Sequence, residues 1–248
     1  GCYAALQQAG HSTSPTWASM VHRLVASLFG LLVIGMVFVA LRRRAQPQQP
    51  VILPLLVLLL TVLLSLLGYK TPAQLTPWVT MGNLLGGMAM LGMLWWLGLR
   101  PAASTPDQRR HLRPWLLPGL VIGGLQLCLG AWNSANLAAL ACDSLTGCGA
   151  IDWQTASFGD AFNLFRQLTG VDGHVIIDDS ARIIHMTHRT SALLTLLALG
   201  GLALRAMSAG GPFRNCGTAL MLLLLTQLVL GPGVVYYSLP LGLVLMHN

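Results

Sequence analysis

The stretch VILPLLVLLLTVLLSLLGY, residues 51–69, decides the class of fold. It carries no charged side chain, and its length matches the roughly 20 apolar residues that an α-helix needs to cross a bilayer. Uncharged runs of comparable or greater length recur at 24–41, 71–99, 114–142 and 215–246, and a shorter one lies at 190–204. The pattern predicts an all-α, polytopic transmembrane helical bundle.

The composition points to the same class. Apolar residues make up 54% of the chain, charged residues only 8%, and glutamate is absent. A soluble surface needs roughly 25% charged residues, so the lipid bilayer is the expected surroundings. The net charge of +7 does not indicate nucleic-acid binding, because the basic residues fall in short groups between apolar runs and not on one continuous face.

The apolar runs and the charges together predict a topology. The expected spans are 17–41, 51–69, 76–99, 114–136, 183–206, 216–236 and an incomplete one from 240. Loops 42–50, 100–113 and 205–215 carry arginines and fall on one side, which the positive-inside rule makes cytoplasmic. Six of the seven aspartates lie in loop 137–182, which is expected on the opposite, extracytoplasmic side.

Internal repetition predicts two related halves. Met20-Val-His22-Arg23 resembles Met186-Thr-His188-Arg189, 166 positions later, and Leu58-Leu-Leu-Thr61 resembles Leu223-Leu-Leu-Thr226 at an offset of 165. At that same offset Met81-Gly82-Asn83 falls opposite Met246-His247-Asn248. We expect pseudo-repeated four-helix units at 1–105 and 106–248, the first lacking its first helix and the second ending in an incomplete one.

Repetition also selects the histidines that could carry chemistry. A lone histidine at a helix end is more often a structural hydrogen-bonding group than a ligand. Here two His-Arg pairs occupy matched positions, and His247 lies near another outer helix end, so the imidazoles are expected at one depth in the bundle. Imidazoles that meet across a helical bundle are typical axial ligands of haem iron. His188 and His247 share a half and form the best pair, with Arg189 and Arg23 placed to bind propionates. His185 is a competing candidate, because it lies three residues before His188.

Two cysteines stand six residues apart in the long outer loop. Cys142 and Cys148 are expected on the oxidising side of the membrane, where a disulfide is the natural state. Free thiols and metal ligands are the alternatives.

Taken with the helix end Gln126-Leu-Cys-Leu-Gly-Ala-Trp132, these residues give a chain that resembles the heme A synthase family of cytochrome oxidase assembly proteins along essentially its whole length. The resemblance implies an eight-helix bundle of the bacterial inner membrane, so that the first helix and the end of the last lie outside this sequence. It implies oxidation of the C8 methyl group of heme O to a formyl group through hydroxylated intermediates. It also implies haem b on His188 and His247 in the second half, and substrate heme O facing His22 in the first. Heme O synthase, other oxidase assembly factors and an unidentified electron donor are the implied partners.

Two positions depart from the family pattern. The family commonly has a glutamate three residues before the first His-Arg histidine, and here that position is Ser19. The first-half counterpart of His247 is Gly82 or, with a shift of one residue, Asn83. A haem b electron-transfer protein without oxygenase activity would need only the second-half pair, and is the alternative. A third interpretation is a transporter or assembly chaperone without a cofactor, since duplication is common among transporters.

Overall fold

The computed structural model describes residues 17–43, 51–70, 76–99, 106–142, 144, 148–149, 151–152, 157–168, 170–171, 174–175, 177–237 and 240–248. The helices are α1 (Trp17–Arg42), α2 (Ile52–Lys70), α3 (Pro77–Gly98), α4 (Pro106–Ala135), α5 (Phe158–Ala161), α6 (Asp179–Ala209), α7 (Gly211–Tyr236) and α8 (Leu241–His247). A 3₁₀ helix (Ala138–Ala141) and a two-stranded antiparallel ladder of β1 (Gly170–Val171) and β2 (His174–Val175) lie in the outer loop. The predicted all-α bundle is confirmed.

The long helices have the length and apolarity of membrane spans. Five in the described part of the chain qualify: Met20–Arg42, Ile52–Tyr69, His111–Ala135, Asp179–Ala209 and Gly211–Tyr236. Helix α3 also has 22 residues, enough to cross a bilayer. Large apolar side chains stay exposed along the helices, as Leu32 and Leu197 do, which is stable only against lipid. The protein is therefore an integral membrane protein.

Two helices begin earlier than the apolar runs predict. Helix α4 begins at Pro106 instead of 114, with polar residues filling its first turns and Pro106 at a helix start, where its missing N–H is not needed. Helix α6 begins at Asp179 instead of 183, because the Asp178 side chain caps it by accepting a hydrogen bond from the Ala181 N–H at 2.9 Å. The predicted loops 100–113 and 137–182 are correspondingly too long.

The prediction of a loop at 205–215 is wrong. Helices α6 and α7 are separated by Gly210 alone, which has φ +73° and ψ −172°, a conformation that only glycine adopts readily. Just beyond this corner, a Cβ atom on Gly217 would lie 2.5 Å from the carbonyl oxygen of Ala203. The two helices therefore run back on one another in close backbone contact.

Consecutive helices pack side by side, and the best-buried cluster lies under the outer loop. Helix α6 contacts α4, α7 and the 3₁₀ helix, while α1 to α4 pack in chain order. The buried cluster joins Trp132 on α4 with Ala161, Ile183 and Ile184, and the Trp132 indole N–H donates to the Ala161 carbonyl at 2.9 Å. The described residues between α4 and α6 thus form a packed cap that joins the end of α4 to the start of α6. The division into halves at 105/106 stays a prediction.

Candidate functional site

The structure brings the two second-half histidines together. The ring centroids of His188 on α6 and His247 on α8 lie 6.5 Å apart, and the rings meet edge to face with 79° between their planes. Both helices pack against α7, which lies between them in the chain. The two imidazoles that the sequence pairs are therefore neighbours in space.

Each of these rings lies against a glycine of an adjacent helix. A Cβ atom on Gly130 of α4 would be 3.2 Å from Cε1 of His188. A Cβ atom on Gly231 of α7 would be 3.2 Å from Cε1 of His247. A larger side chain at either glycine would displace the adjacent ring. Each imidazole therefore occupies space that is available only because its neighbour is glycine.

The two rings differ in their hydrogen bonds. Nδ1 of His188 lies 3.2 Å from the side-chain nitrogen of Gln126 on α4. Nδ1 of His247 is buried and has no hydrogen-bond partner among the described residues. One imidazole is thus oriented by a polar neighbour, and the other mainly by packing.

His185 does not join this pair. It is 3% exposed, and its Nδ1 lies 3.2 Å from Oδ1 of Asn133, while Nε2 is buried without a hydrogen-bond partner in the described part of the chain. His185 is therefore oriented by Asn133, whereas His188 is oriented by Gln126. The repeat pattern, which favours His188 over His185, agrees with this geometry.

Arg189 connects the histidine helix to the outer loop. Its Nη1 donates to the carbonyl of Ser144 at 3.0 Å. Ser144 lies within the loop closed by the Cys142–Cys148 disulfide, whose Cα atoms are 4.4 Å apart. The two cysteines predicted to pair are thus adjacent, and their bond closes the loop segment that contacts Arg189.

The first-half residues form a more open arrangement. His22 and Arg23 lie on α1 and are exposed, while the side chain of Ser19 lies outside the described residues. On α3, a Cβ atom on Gly82 would be 3.3 Å from Cδ1 of Leu67. A leucine therefore packs against the position where a second first-half histidine could be expected, and the second half alone shows a close histidine pair within the described helices.

The donor set of the second half fits a haem. Two imidazoles alone cannot complete the coordination of a bare metal ion, and the described residues hold no group of three or more His, Cys, Asp or Glu side chains that could. In a haem the porphyrin supplies four nitrogens and the protein only the axial ligands. His188 and His247, with 6.5 Å between their ring centroids, match those axial positions in donor type and number.

Several residues of this site escape sequence reasoning. Gln126, Gly130, Ser191 and Gly231 contact the histidines or their hydrogen-bond partners. Gln126 gives a signal of its own, because a polar side chain within an apolar span is costly unless it has a partner. The glycines give none, since glycine recurs throughout these helices.

The fold and this site define a polytopic membrane protein that holds a facing histidine pair between its helices. The chain belongs to the COX15-CtaA family of cytochrome oxidase assembly proteins, whose family model matches residues 7–248. It is similar to a protein described as heme A synthase from Shewanella oneidensis, with 33% identity over 246 residues that cover 96% of this chain and 73% of the relative. The family predicted from the sequence is thereby confirmed.

Proposed function

We propose that this protein is a heme A synthase. It oxidises the C8 methyl group of heme O to the formyl group of heme A through hydroxylated intermediates, in the pathway that supplies cytochrome c oxidase. The observation that carries the proposal is the facing pair His188 and His247, in a chain of a cytochrome oxidase assembly family. The similar Shewanella protein is described by this activity.

The second half, 106–248, holds the cofactor. His188 and His247 would ligate the iron of haem b, and Arg189, next to His188 on α6, would pair with a propionate. When bound, haem b supplies one-electron transfer at its iron. The packed glycines Gly130 and Gly231 hold the two rings at the spacing that binding needs.

The first half, 1–105, receives the substrate. His22 faces the iron of heme O and Arg23 its propionates, as the family resemblance implies. Ser19 replaces a glutamate, and a hydroxyl relays protons through water where a carboxylate would take them up itself. With Gly82 or Asn83 in place of a second histidine, His22 is the one histidine that the described residues of the first half offer to the substrate.

The proposed setting follows from charge and cysteine chemistry. The arginine-bearing segments 42–50, 100–113 and 205–215 face the cytoplasm, and 137–182, with its disulfide, faces outward from a bacterial inner membrane. Heme O synthase and other oxidase assembly factors are the partners from which heme O would come and to which heme A would pass. An electron donor of the membrane is also required.

The test is purification from membranes followed by haem extraction and a reduced-minus-oxidised spectrum, before and after supplying heme O with a reductant and oxygen. The proposal expects bound haem b and conversion of heme O to its hydroxylated form and heme A. Preparations that hold no haem would contradict both the ligand assignment and the activity.

A second candidate is a haem b electron-transfer protein without oxygenase activity. The exposed His22 and the Leu67–Gly82 contact favour it, because they leave the first half without a buried histidine pair. In the same experiment this candidate predicts haem b in every preparation and no product from heme O.

A further inference from the structure

Gln126 stands beside His188 with a complete set of hydrogen bonds. Its side-chain nitrogen lies 3.2 Å from Nδ1 of the ring and 3.4 Å from the carbonyl oxygen of the same residue. Its side-chain oxygen accepts from the hydroxyl of Ser191 at 2.5 Å. The amide is therefore fixed at both ends, next to one nitrogen of the proposed axial ligand.

From this geometry we infer that Gln126 is the positioning residue of His188, locked in place by Ser191. The inference rests on the proposed haem ligation by His188 and adds to it which ring nitrogen meets the iron. Because Gln126 engages Nδ1, the nitrogen left for iron is Nε2. A hydrogen bond on the other ring nitrogen is the usual means by which a protein fixes the orientation and basicity of a ligating histidine.

The direction of the hydrogen bond depends on the state of the ring. With its NH₂ group toward Nδ1, as in this structure, Gln126 donates, and a neutral imidazole then carries its proton on Nε2. If Nε2 of His188 binds the iron, the ring proton must be on Nδ1, and this N–H needs a hydrogen-bond acceptor. A half turn of the amide provides one, because it places the carbonyl oxygen of Gln126 toward Nδ1.

Ser191 serves both orientations of the amide. Its hydroxyl now lies 2.5 Å from the Gln126 oxygen and 2.9 Å from the carbonyl oxygen of His188. After a half turn, the Gln126 NH₂ donates to the Ser191 oxygen, and the Ser191 hydroxyl donates to the His188 carbonyl. Ser191 therefore holds the far end of the Gln126 amide in either orientation.

The test compares Gln126→Leu, Gln126→Glu and Ser191→Ala in the full-length membrane protein. The readouts are haem b content per polypeptide and the reduction potential of haem b, neither of which requires turnover. Gln126→Leu should lower haem affinity roughly 10- to 100-fold, the usual effect of losing a ligand's hydrogen-bond partner. In the protein that still holds haem, Gln126→Leu should raise the reduction potential of haem b. Without its hydrogen-bond partner the His188 imidazole is less basic, and a less basic ligand stabilises ferric iron less.

Gln126→Glu keeps an acceptor, adds negative charge and should shift the potential in the opposite direction while haem is retained. A merely structural glutamine would not give opposite shifts. Ser191→Ala should cause a smaller shift in the direction of Gln126→Leu. Matched controls are Gln227→Leu, at an exposed glutamine of α7, and Thr190→Ala, whose exposed hydroxyl donates to the Met186 carbonyl at 2.9 Å.

The outcomes separate this inference from the proposed function. If Gln126→Leu and Gln126→Glu both leave haem content and potential at the control values while His188→Ala loses haem, the positioning role is refuted and the ligand assignment stands. If His188→Ala keeps its haem, the ligand assignment fails and the inference fails with it.

Discussion

The imidazole of His188 lies directly against Gly130, so close that a Cβ atom there would be 3.2 Å from the ring. The same distance recurs between His247 and Gly231 on another pair of helices. Both rings are thus held against the backbone of a neighbouring helix, and their mutual spacing depends on how closely those helices approach.

Gly130→Ala and Gly231→Ala should each lower haem b content several-fold, because the added methyl group displaces the adjacent ring. Haem per polypeptide in purified protein is the measurement. Gly124→Ala on α4 has open space, and Gly233→Ala on α7 meets Leu243 at an ordinary 3.6 Å, so both are matched controls and should keep wild-type haem content. Equal loss in the controls would show that the effect is general to these helices.

His188→Ala and His247→Ala should each abolish tight haem b binding, because one axial ligand does not hold a six-coordinate haem. Ser19→Ala should leave haem b content intact, since Ser19 belongs to the other half. Optical spectra of the reduced proteins measure this. Wild-type spectra from the His188 variant would contradict the assignment of ligands.

Cys142→Ser combined with Cys148→Ser should lower the free energy of unfolding by about 2 kcal/mol, the chain-entropy value for so short a loop. It should also loosen the Ser144 carbonyl that receives the Arg189 hydrogen bond. The measurement is the thermal midpoint in detergent. Cys216→Ser, at an exposed free cysteine, is the control and should leave the midpoint unchanged.

Gly217→Ala should destabilise the α6–α7 pair by roughly 1–3 kcal/mol, the usual effect of overpacking. The new methyl group would meet the backbone oxygen of Ala203 at 2.5 Å and the backbone nitrogen of Met207 at 2.8 Å, and backbone atoms cannot rotate away. Gly201→Ala on α6 has open space and serves as the control. Equal thermal midpoints for the two variants would contradict the close approach of α6 and α7.

The sequence predicts the helices well where apolarity defines them and poorly where capping does. Helix α2 begins and ends within a residue of its prediction, because its apolar run is bounded by polar or charged neighbours. The start of α6 depends on a side-chain acceptor on Asp178, and the α6–α7 corner on the positive φ angles of Gly210 and Gly211. A hydropathy pattern contains no information on a capping side chain or on a glycine backbone angle.

The candidate site divides in the same way. Repetition singles out His188 and His247, and the structure brings their rings together. Gln126 is noticeable in the sequence as a polar residue within an apolar span, but its contact with His188 is not. The two glycines beside the rings become recognisable only when the helices are packed, because their role is defined by distance to another helix. A linear pattern records residue types, whereas these roles depend on contacts between distant segments.

The one-residue corner at Gly210 also sets the register of the haem-side histidines. His188 lies 22 residues before Gly210 and Gly231 lies 21 residues after it, so at about 1.5 Å per residue both stand at nearly equal height above the turn. A corner of one residue allows little sliding between the two helices. Lengthening it by a single amino acid would move the backbone that supports His247 relative to His188, and would change the gap between the imidazoles without altering either histidine.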